Sequence, residues 1–295
     1  MAAAIEANQL RKVYPNGHGV FGIDLSIPRG EVFGFLGPNG AGKTTTIRAL
    51  LGLTHLTGGT ASVLGHDAVQ DSLGVRRVTG YLPGDPALYD AMTGSEHLQL
   101  ALELRGERDR RHALEVAERL GVELHRKVRQ LSRGNRQKVA ILLALAHDPE
   151  VLILDEPTTG LDPLAQDAFR GLLMDMRARG KTIFFSSHVL PEVEGVADRV
   201  GIIREGRLVE VNTVDALRRS HLKEVRVRYE GALPDLAQVT GVRGLEAKGA
   251  QARFHIAGDT APLFRLLAEK PPADITITDP SLEEVFRTYY GGEPS

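Results

Sequence analysis

The chain has 295 residues, with 36 Lys and Arg against 38 Asp and Glu and a formal net charge of −2, so no overall basic field points to a nucleic-acid partner. It contains no Cys, which excludes disulfides and thiol chemistry. This length suits one large domain and a smaller one, and buries enough surface to fold without covalent staples.

The first residues, Met-Ala-Ala-Ala-Ile-Glu-Ala, lack a basic end followed by an apolar core, so no signal peptide is expected. Residues 4–35 read as strand-rich, with turn chemistry at Pro15-Asn16-Gly17 and Pro28-Arg29-Gly30. A short strand at 31–36 leads through a glycine-rich run into a helix at 43–52. Strands follow near 60–64 and 78–82. Thr93 with Glu96 makes a capping box, after which Leu98, Leu100, Ala101 and Leu104 recur at near-helical spacing. Further helices are expected at 109–120 and 133–147. Residues 140–146 are the most apolar stretch, far short of the ~20 residues that span a bilayer, so the chain is expected to be soluble. The helical block lies between the strand at 78–82 and a very apolar strand at 151–154, which predicts helices inserted into a parallel sheet.

Asp162-Pro163 opens another helix, with Asp as cap and Pro in the first turn, and it ends near Gly180. Residues 181–185 form a further strand, and 198–212 a hairpin around Glu205-Gly206. A second unit begins near 220. There Val225, Val227 and Tyr229, then Ala252, Phe254 and Ile256, then Ile275 and Ile277 alternate with polar residues as half-buried strands do. Helices are expected at 260–269 and 281–290.

Residues 37–44 read Gly37-Pro38-Asn39-Gly40-Ala41-Gly42-Lys43-Thr44 and fit G-x-x-x-x-G-K-[ST], the phosphate-binding loop of nucleoside-triphosphatases. Glycines let backbone N–H groups turn toward phosphate oxygens, and the following helix, opened by Lys43, Thr44 and Thr45, favours anions at its N-terminus. Lys43 supplies a charge for the β- and γ-phosphates, and Thr44 a hydroxyl for Mg²⁺. The strand Val151-Leu152-Ile153-Leu154 ends in Asp155-Glu156, which delivers a carboxylate for Mg²⁺ (Asp155) and one to polarise water (Glu156). The histidines other than His188 are dispersed and show no zinc-ligand spacing.

About 20 residues before that strand end lies Leu131-Ser132-Arg133-Gly134-Asn135, which resembles the signature motif of ATP-binding-cassette (ABC) ATPases. Thr158-Thr159-Gly160-Leu161-Asp162 resembles the family's D-loop, His188 after Phe184-Phe185-Ser186-Ser187 its switch histidine, and Tyr14 the aromatic residue that stacks on adenine. The matching segments run from about residue 4 to 212, in family order and at family-like spacing.

The resemblance implies an α/β fold. A P-loop ABC ATPase core over 1–215 would combine a parallel sheet, an N-terminal antiparallel part and a helical insertion at about 86–150, with a small C-terminal α/β domain over 220–295. It implies ATP and Mg²⁺ as ligands and Lys43, Glu156 and His188 as the hydrolytic set. It further implies a homodimer in which Ser132, Gly134 and Asp162 of one copy meet the nucleotide or the partner of the other. The chain would drive a separate integral membrane permease from the cytoplasmic face. The Tyr-Leu-Pro-Gly run at 81–84, the Ser-Arg-Gly signature and the ending Pro280-Ser281-Leu282-Glu283-Glu284-Val285-Phe286 resemble exporters of drugs, antibiotics, lipids or ions. The alternative is a soluble ABC machine of DNA repair or translation. That reading lacks the coiled coils, zinc modules or paired ATPase units those proteins carry. One departure stands out: Gly84 occupies the place of the family's usual Gln, so Asp85 or water would have to supply its polar contact.

Overall fold

Turn residues and strand alternation at the N-terminus produce an antiparallel sheet. Strands β1 (Ala3–Val13) and β2 (Gly19–Pro28) pair, β1 also pairs with β4 (Gly58–Val63), and β4 with the short β5 (His66–Asp67). The inward side chains Ile5, Leu10, Ile23 and Ile27 pack in one cluster with Phe33, Phe35, Ile47 and Leu50, so this sheet and the core around the phosphate loop share their apolar interior. The computed structural model describes residues 3–216, 223–256 and 260–278.

The second sheet has six strands. β3 (Val32–Leu36), β7 (Val151–Asp155) and β8 (Thr182–Ser187) are buried along their whole length, as the near-continuous apolar runs in their sequences require. β3 pairs in parallel with β8 and with β9 (Arg199–Arg204), β7 with β8, and β6 (Thr79–Leu82) with β7. β10 (Arg207–Thr213) completes the order β10-β9-β3-β8-β7-β6. This parallel arrangement with interposed helices is the α/β core the spacing predicted.

Three helices, α3 (Gly94–Arg105), α4 (Arg111–Leu120) and α5 (Arg133–Leu145), stand between the adjacent strands β6 and β7. The capping box at the start of α3 is formed: the Thr93 amide donates to Glu96 Oε2 at 2.7 Å and the Glu96 amide to Thr93 Oγ1 at 3.2 Å. The apolar stripe of α3 differs from the expected one. His97, Leu98 and Leu102 are buried, whereas Leu104 is 79% exposed and Leu100 also faces outward. Two residues along a helix turn through about 200°, so the Leu98–Leu102 pair and the Leu100–Leu104 pair occupy opposite faces. Among the described residues no helix is long and apolar enough to cross a membrane.

α1 (Lys43–Leu50) follows the phosphate loop and α6 (Pro163–Ala178) precedes β8, both where helices were expected. Two short helices add to the expected set: α2 (Ser72–Val78), capped by Asp71, which accepts from the Gly74 amide at 2.9 Å, and the five-residue α7 (Leu190–Glu194) after β8.

The chain divides into units Met1–Asn212 and Thr213–Ser295. The second holds an antiparallel sheet of order β12-β13-β11-β14, built from β11 (Lys223–Arg228), β12 (Val242–Lys248), β13 (Gln251–Ile256) and β14 (Asp274–Thr278). Val225, Val227, Phe254 and Ile256 pack with Leu263 and Leu267 of α8 (Ala261–Glu269). Ile275 and Ile277 do not share that burial; they sit on the edge strand β14 and stay 39% and 37% exposed. The helix expected at 281–290 and the run Pro280 to Phe286 lie outside the described residues.

His147, just past α5, is more than half buried, and that burial, aided by the nearby Arg105 guanidinium, pushes its pKa down to about 4 from the ordinary 6.5. Between those values the unfolded chain binds the proton and the folded chain does not. The contribution of His147 to stability therefore falls as pH drops from about 6.5 toward about 4. Thermal melts across that window will show a shallower pH dependence for His147→Gln than for the native chain. Equal slopes would remove His147 as the cause.

Candidate active site

The C-terminal ends of β3, β7 and β8 open side by side, which is where α/β sheets place ligand sites. The register sets Leu36 beside Ser187 and Asp155 beside Ser186, so the phosphate loop, the acidic strand end and the residues before His188 converge without long connections. Gly42 caps α1 at φ 109°, and a Cβ there would lie 2.8 Å from Val20 Cγ1, so only glycine fits. No side chain caps α1, which leaves its first-turn N–H groups to meet an anion.

Lys43 is buried, and its ammonium donates to the carbonyls of Gly37 at 2.7 Å and Pro38 at 3.2 Å. It also lies 3.1 Å from Glu156 Oε1, while His188 Nδ1 lies 2.9 Å from Glu156 Oε2. Glu156 is thus held between two nitrogen groups. Its backbone adopts φ 48°, a left-handed conformation that costs a non-glycine residue about 1–2 kcal/mol. The fold holds it there: the Glu156 amide donates to Ser186 Oγ at 3.1 Å and to the Ser186 carbonyl at 3.2 Å.

Asp155 Oδ2 accepts from Thr44 Oγ1 at 2.6 Å, and Oδ1 accepts from Ser186 Oγ at 2.6 Å. A hydroxyl and a carboxylate in contact form a hard oxygen pair that suits Mg²⁺. Among the described residues no group of three His, Asp or Glu is arranged to hold a metal, so an ion here would complete its shell with phosphate oxygens and water.

Tyr14, Asn39, Gly40, Gly42, Lys43, Thr44, Thr45 and Glu156 line one cleft of about 190 Å³, together with His18 and Gly19. Lys12 Nζ sits 5.0 Å from the Tyr14 ring centroid. Of the other expected residues, Gly37, Pro38 and Ala41 lie within the loop. Ser132, Gly134 and Asp162 do not line this cleft. Ser132 Oγ caps α5 by accepting from the Asn135 amide at 3.2 Å, and Asn135 Nδ2 donates to Glu123 Oε1. A Cβ on Gly134 would approach the Gly160 carbonyl to 2.8 Å, so the start of α5 packs against the turn before Asp162. Asp162 caps α6 by accepting from the Ala165 amide at 2.9 Å. That bond, with Lys138 nearby, holds its pKa below the usual carboxylate range.

Sequence reasoning named Thr158, Ser186 and Ser187 only within motifs, with no role of their own, and missed Glu192; their hydroxyls and its carboxylate join the site's segments. A hydroxyl on each side of the strand end before His188 was the available signal. Tyr81 also lies near Asp155, and its phenol is raised by burial and then by that carboxylate. Gly84 stands where a Cβ would contact Asp155 Oδ2 at an ordinary 3.4 Å. Gly84→Gln should therefore fold with stability within about 0.5 kcal/mol of the native chain, and the added carboxamide beside Asp155 should change the ATPase rate. Melting temperature and turnover check both, and a large loss of stability would contradict the space seen there.

Comparisons with known proteins place the chain in a family. The family model described as ABC transporter matches residues 20–159. The chain is 34% identical to the bacitracin transport ATP-binding protein BcrA of Bacillus licheniformis over 302 aligned positions, covering 99% of both chains. It belongs to the ABC transporter ATPases. The Enterococcus faecalis BcrA is 37% identical, over 76% of this chain and 73% of that protein. Among solved structures, an ATP-binding subunit of an ABC transporter superposes with TM-score 0.69 at 32% identity, over 73% of this chain and 92% of the other. A dimeric cassette in a post-hydrolysis state with ADP and phosphate shares the fold, with TM-score 0.66 at 24% identity, over 71% of this chain and 98% of the other. The ATPase is an ATP-binding and ATP-hydrolysing subunit that powers a transporter.

Proposed function

We propose that the ATPase binds MgATP on the loop 37–44, pairs with a second copy of itself, and drives export through a separate membrane permease. The observation that carries the hydrolytic reading is the Glu156 carboxylate, held between Lys43 Nζ at 3.1 Å and His188 Nδ1 at 2.9 Å. Lys43 moves from Glu156 to phosphate oxygens when nucleotide enters, which frees the carboxylate to orient and polarise water. His188, already beside Glu156, lies within reach of the same water and of the γ-phosphate. Thr44 and Asp155 would hold Mg²⁺, which neutralises phosphate charge when bound. Tyr14, on the cleft that carries the loop, stacks on adenine.

Dimerisation is supported by what a single copy leaves incomplete. Ser132 and Gly134 mark a helix N-terminus suited to phosphate but stand outside the cleft of their own chain. A second copy, related by two-fold symmetry, would bring its signature to that cleft. ATP thereby joins the pair and hydrolysis loosens it. The core 1–215, with its insertion at 86–150, would do this work, and 220–295 would be an accessory domain. Export is the favoured direction because the Tyr-Leu-Pro-Gly run at 81–84 and the Ser-Arg-Gly signature resemble exporters; the relative aligned over 99% of both chains is named for bacitracin transport.

The test is to tag the Glu156→Gln variant in its native cell, add ATP and identify what co-purifies from solubilised membranes. A multi-span protein in near-equal amount is expected. Recovery only with ribosomes or DNA-bound proteins would overturn transport while leaving the ATPase assignment intact.

A further inference from the structure

We infer that Glu192 is a positioning residue for the hydrolytic pair Glu156 and His188, an inference that rests on the reading of that pair given above. Glu192 lies in the first turn of α7, and its hydrogen bonds go to neither residue of the pair. Its carboxylate instead spans the two chain segments that carry them. Oε1 accepts from Thr158 Oγ1 at 2.6 Å, two residues beyond Glu156, and Oε2 accepts from Ser187 Oγ at 2.6 Å, one residue before His188. Both distances are those of strong hydroxyl-to-carboxylate bonds.

The Ser187 end is not free to drift. Ser187 Oγ accepts the Val189 amide at 2.9 Å, closing a turn around His188, and the Ser187 carbonyl accepts from the Gly37 amide at 3.3 Å at the head of the phosphate loop. The Thr158 end is equally tied: the Thr159 amide donates to the Glu156 carbonyl at 3.3 Å, and the Leu161 amide to the Thr158 carbonyl at 3.0 Å on the way to Asp162. One carboxylate therefore sets the spacing of the Glu156 turn and the His188 turn. Helix capping alone does not account for it. A cap would direct the carboxylate to the Val189 amide, yet that amide goes to Ser187 Oγ, and the bond to Thr158 serves no helix end. Asp is one methylene too short to reach both hydroxyls. Gln keeps the reach, with its carbonyl accepting from one hydroxyl and its amide donating to the other.

The experiment is steady-state ATP hydrolysis by the full chain with MgATP, resolving kcat and KM, alongside thermal melts. Glu192→Ala should lower kcat roughly 10- to 100-fold with KM unchanged, the effect of misplacing reacting groups by about an ångström. Glu192→Gln should recover most of that loss, and Glu192→Asp should not. The double variant Thr158→Val with Ser187→Ala breaks the same bridge from its other ends. It should lower kcat similarly and add little when combined with Glu192→Ala. This variant also decides the matter if Glu192→Ala fails to fold. Native kcat in the double variant, equal loss in Glu192→Ala and Glu192→Gln, or a change confined to KM would overturn the inference. Glu156→Gln and His188→Ala run as controls. If they hydrolyse normally, the reading of the catalytic pair has failed. If they are inactive while Glu192→Ala turns over normally, only the positioning role has failed.

Discussion

Glu156→Gln will bind ATP and scarcely hydrolyse it. The substitution keeps the shape of a side chain that sits at φ 48° and is held by two bonds from its amide to Ser186, so the backbone has no reason to move. It removes the negative charge that Lys43 and His188 flank. A neutral amide is a poor acceptor for a water proton, and loss of a general base costs about 10²- to 10⁴-fold in turnover. Lys43 keeps its two carbonyl contacts and is released from an ion pair, so nucleotide affinity should hold or rise. Turnover by phosphate release and affinity by titration check the two halves. Turnover near the native rate would show that Glu156 is not the residue that activates water.

Lys43→Ala fails at an earlier step. The ammonium is buried, 5% exposed, and is the charge that the loop aims at its cleft. Charge-assisted hydrogen bonds are worth about 1.5–3 kcal/mol each, so losing the contact to phosphate should weaken ATP binding about 10- to 100-fold. The deletion also leaves Glu156, 22% exposed, without the cation at 3.1 Å. Native affinity in a nucleotide titration would contradict the placement of phosphates on this loop.

The two variants separate binding from chemistry, and the geometry explains why they should differ. Lys43 opens α1 and belongs to the loop, whereas Glu156 ends β7. They meet only because β3 and β7 both flank β8 in the sheet.

That convergence was largely legible in the residues. Gly37 to Thr44 can do little except wrap an anion, and the apolar run before Asp155 has to be a buried strand. The Thr93–Glu96 box and the Asp162-Pro163 start declare helix ends through local chemistry, and both caps are formed. Elements shorter than two helical turns were not legible, because α2 with seven residues and α7 with five hold too few positions to display a period. β12 was missed because register shifts interrupt its pairing with β13 and blur the alternation. Leu100 and Leu104 misled for a different reason: four-residue spacing identifies a helix face but does not say which face meets the core. The hydroxyl and carboxylate bridges were invisible for want of locality. Ser186 meets Asp155 across 31 residues and Glu192 meets Thr158 across 34, and nothing near either Ser or Glu in the chain marks its distant partner.

The central claim is that ATP is shared between two copies, because the phosphate loop and the signature of one chain do not line the same cleft. Sedimentation of Glu156→Gln with and without ATP and Mg²⁺ tests it most directly. The account predicts a monomer without nucleotide and twice that mass with it, reversed when Lys43→Ala is added. A monomer under both conditions, with ATP demonstrably bound, would contradict it.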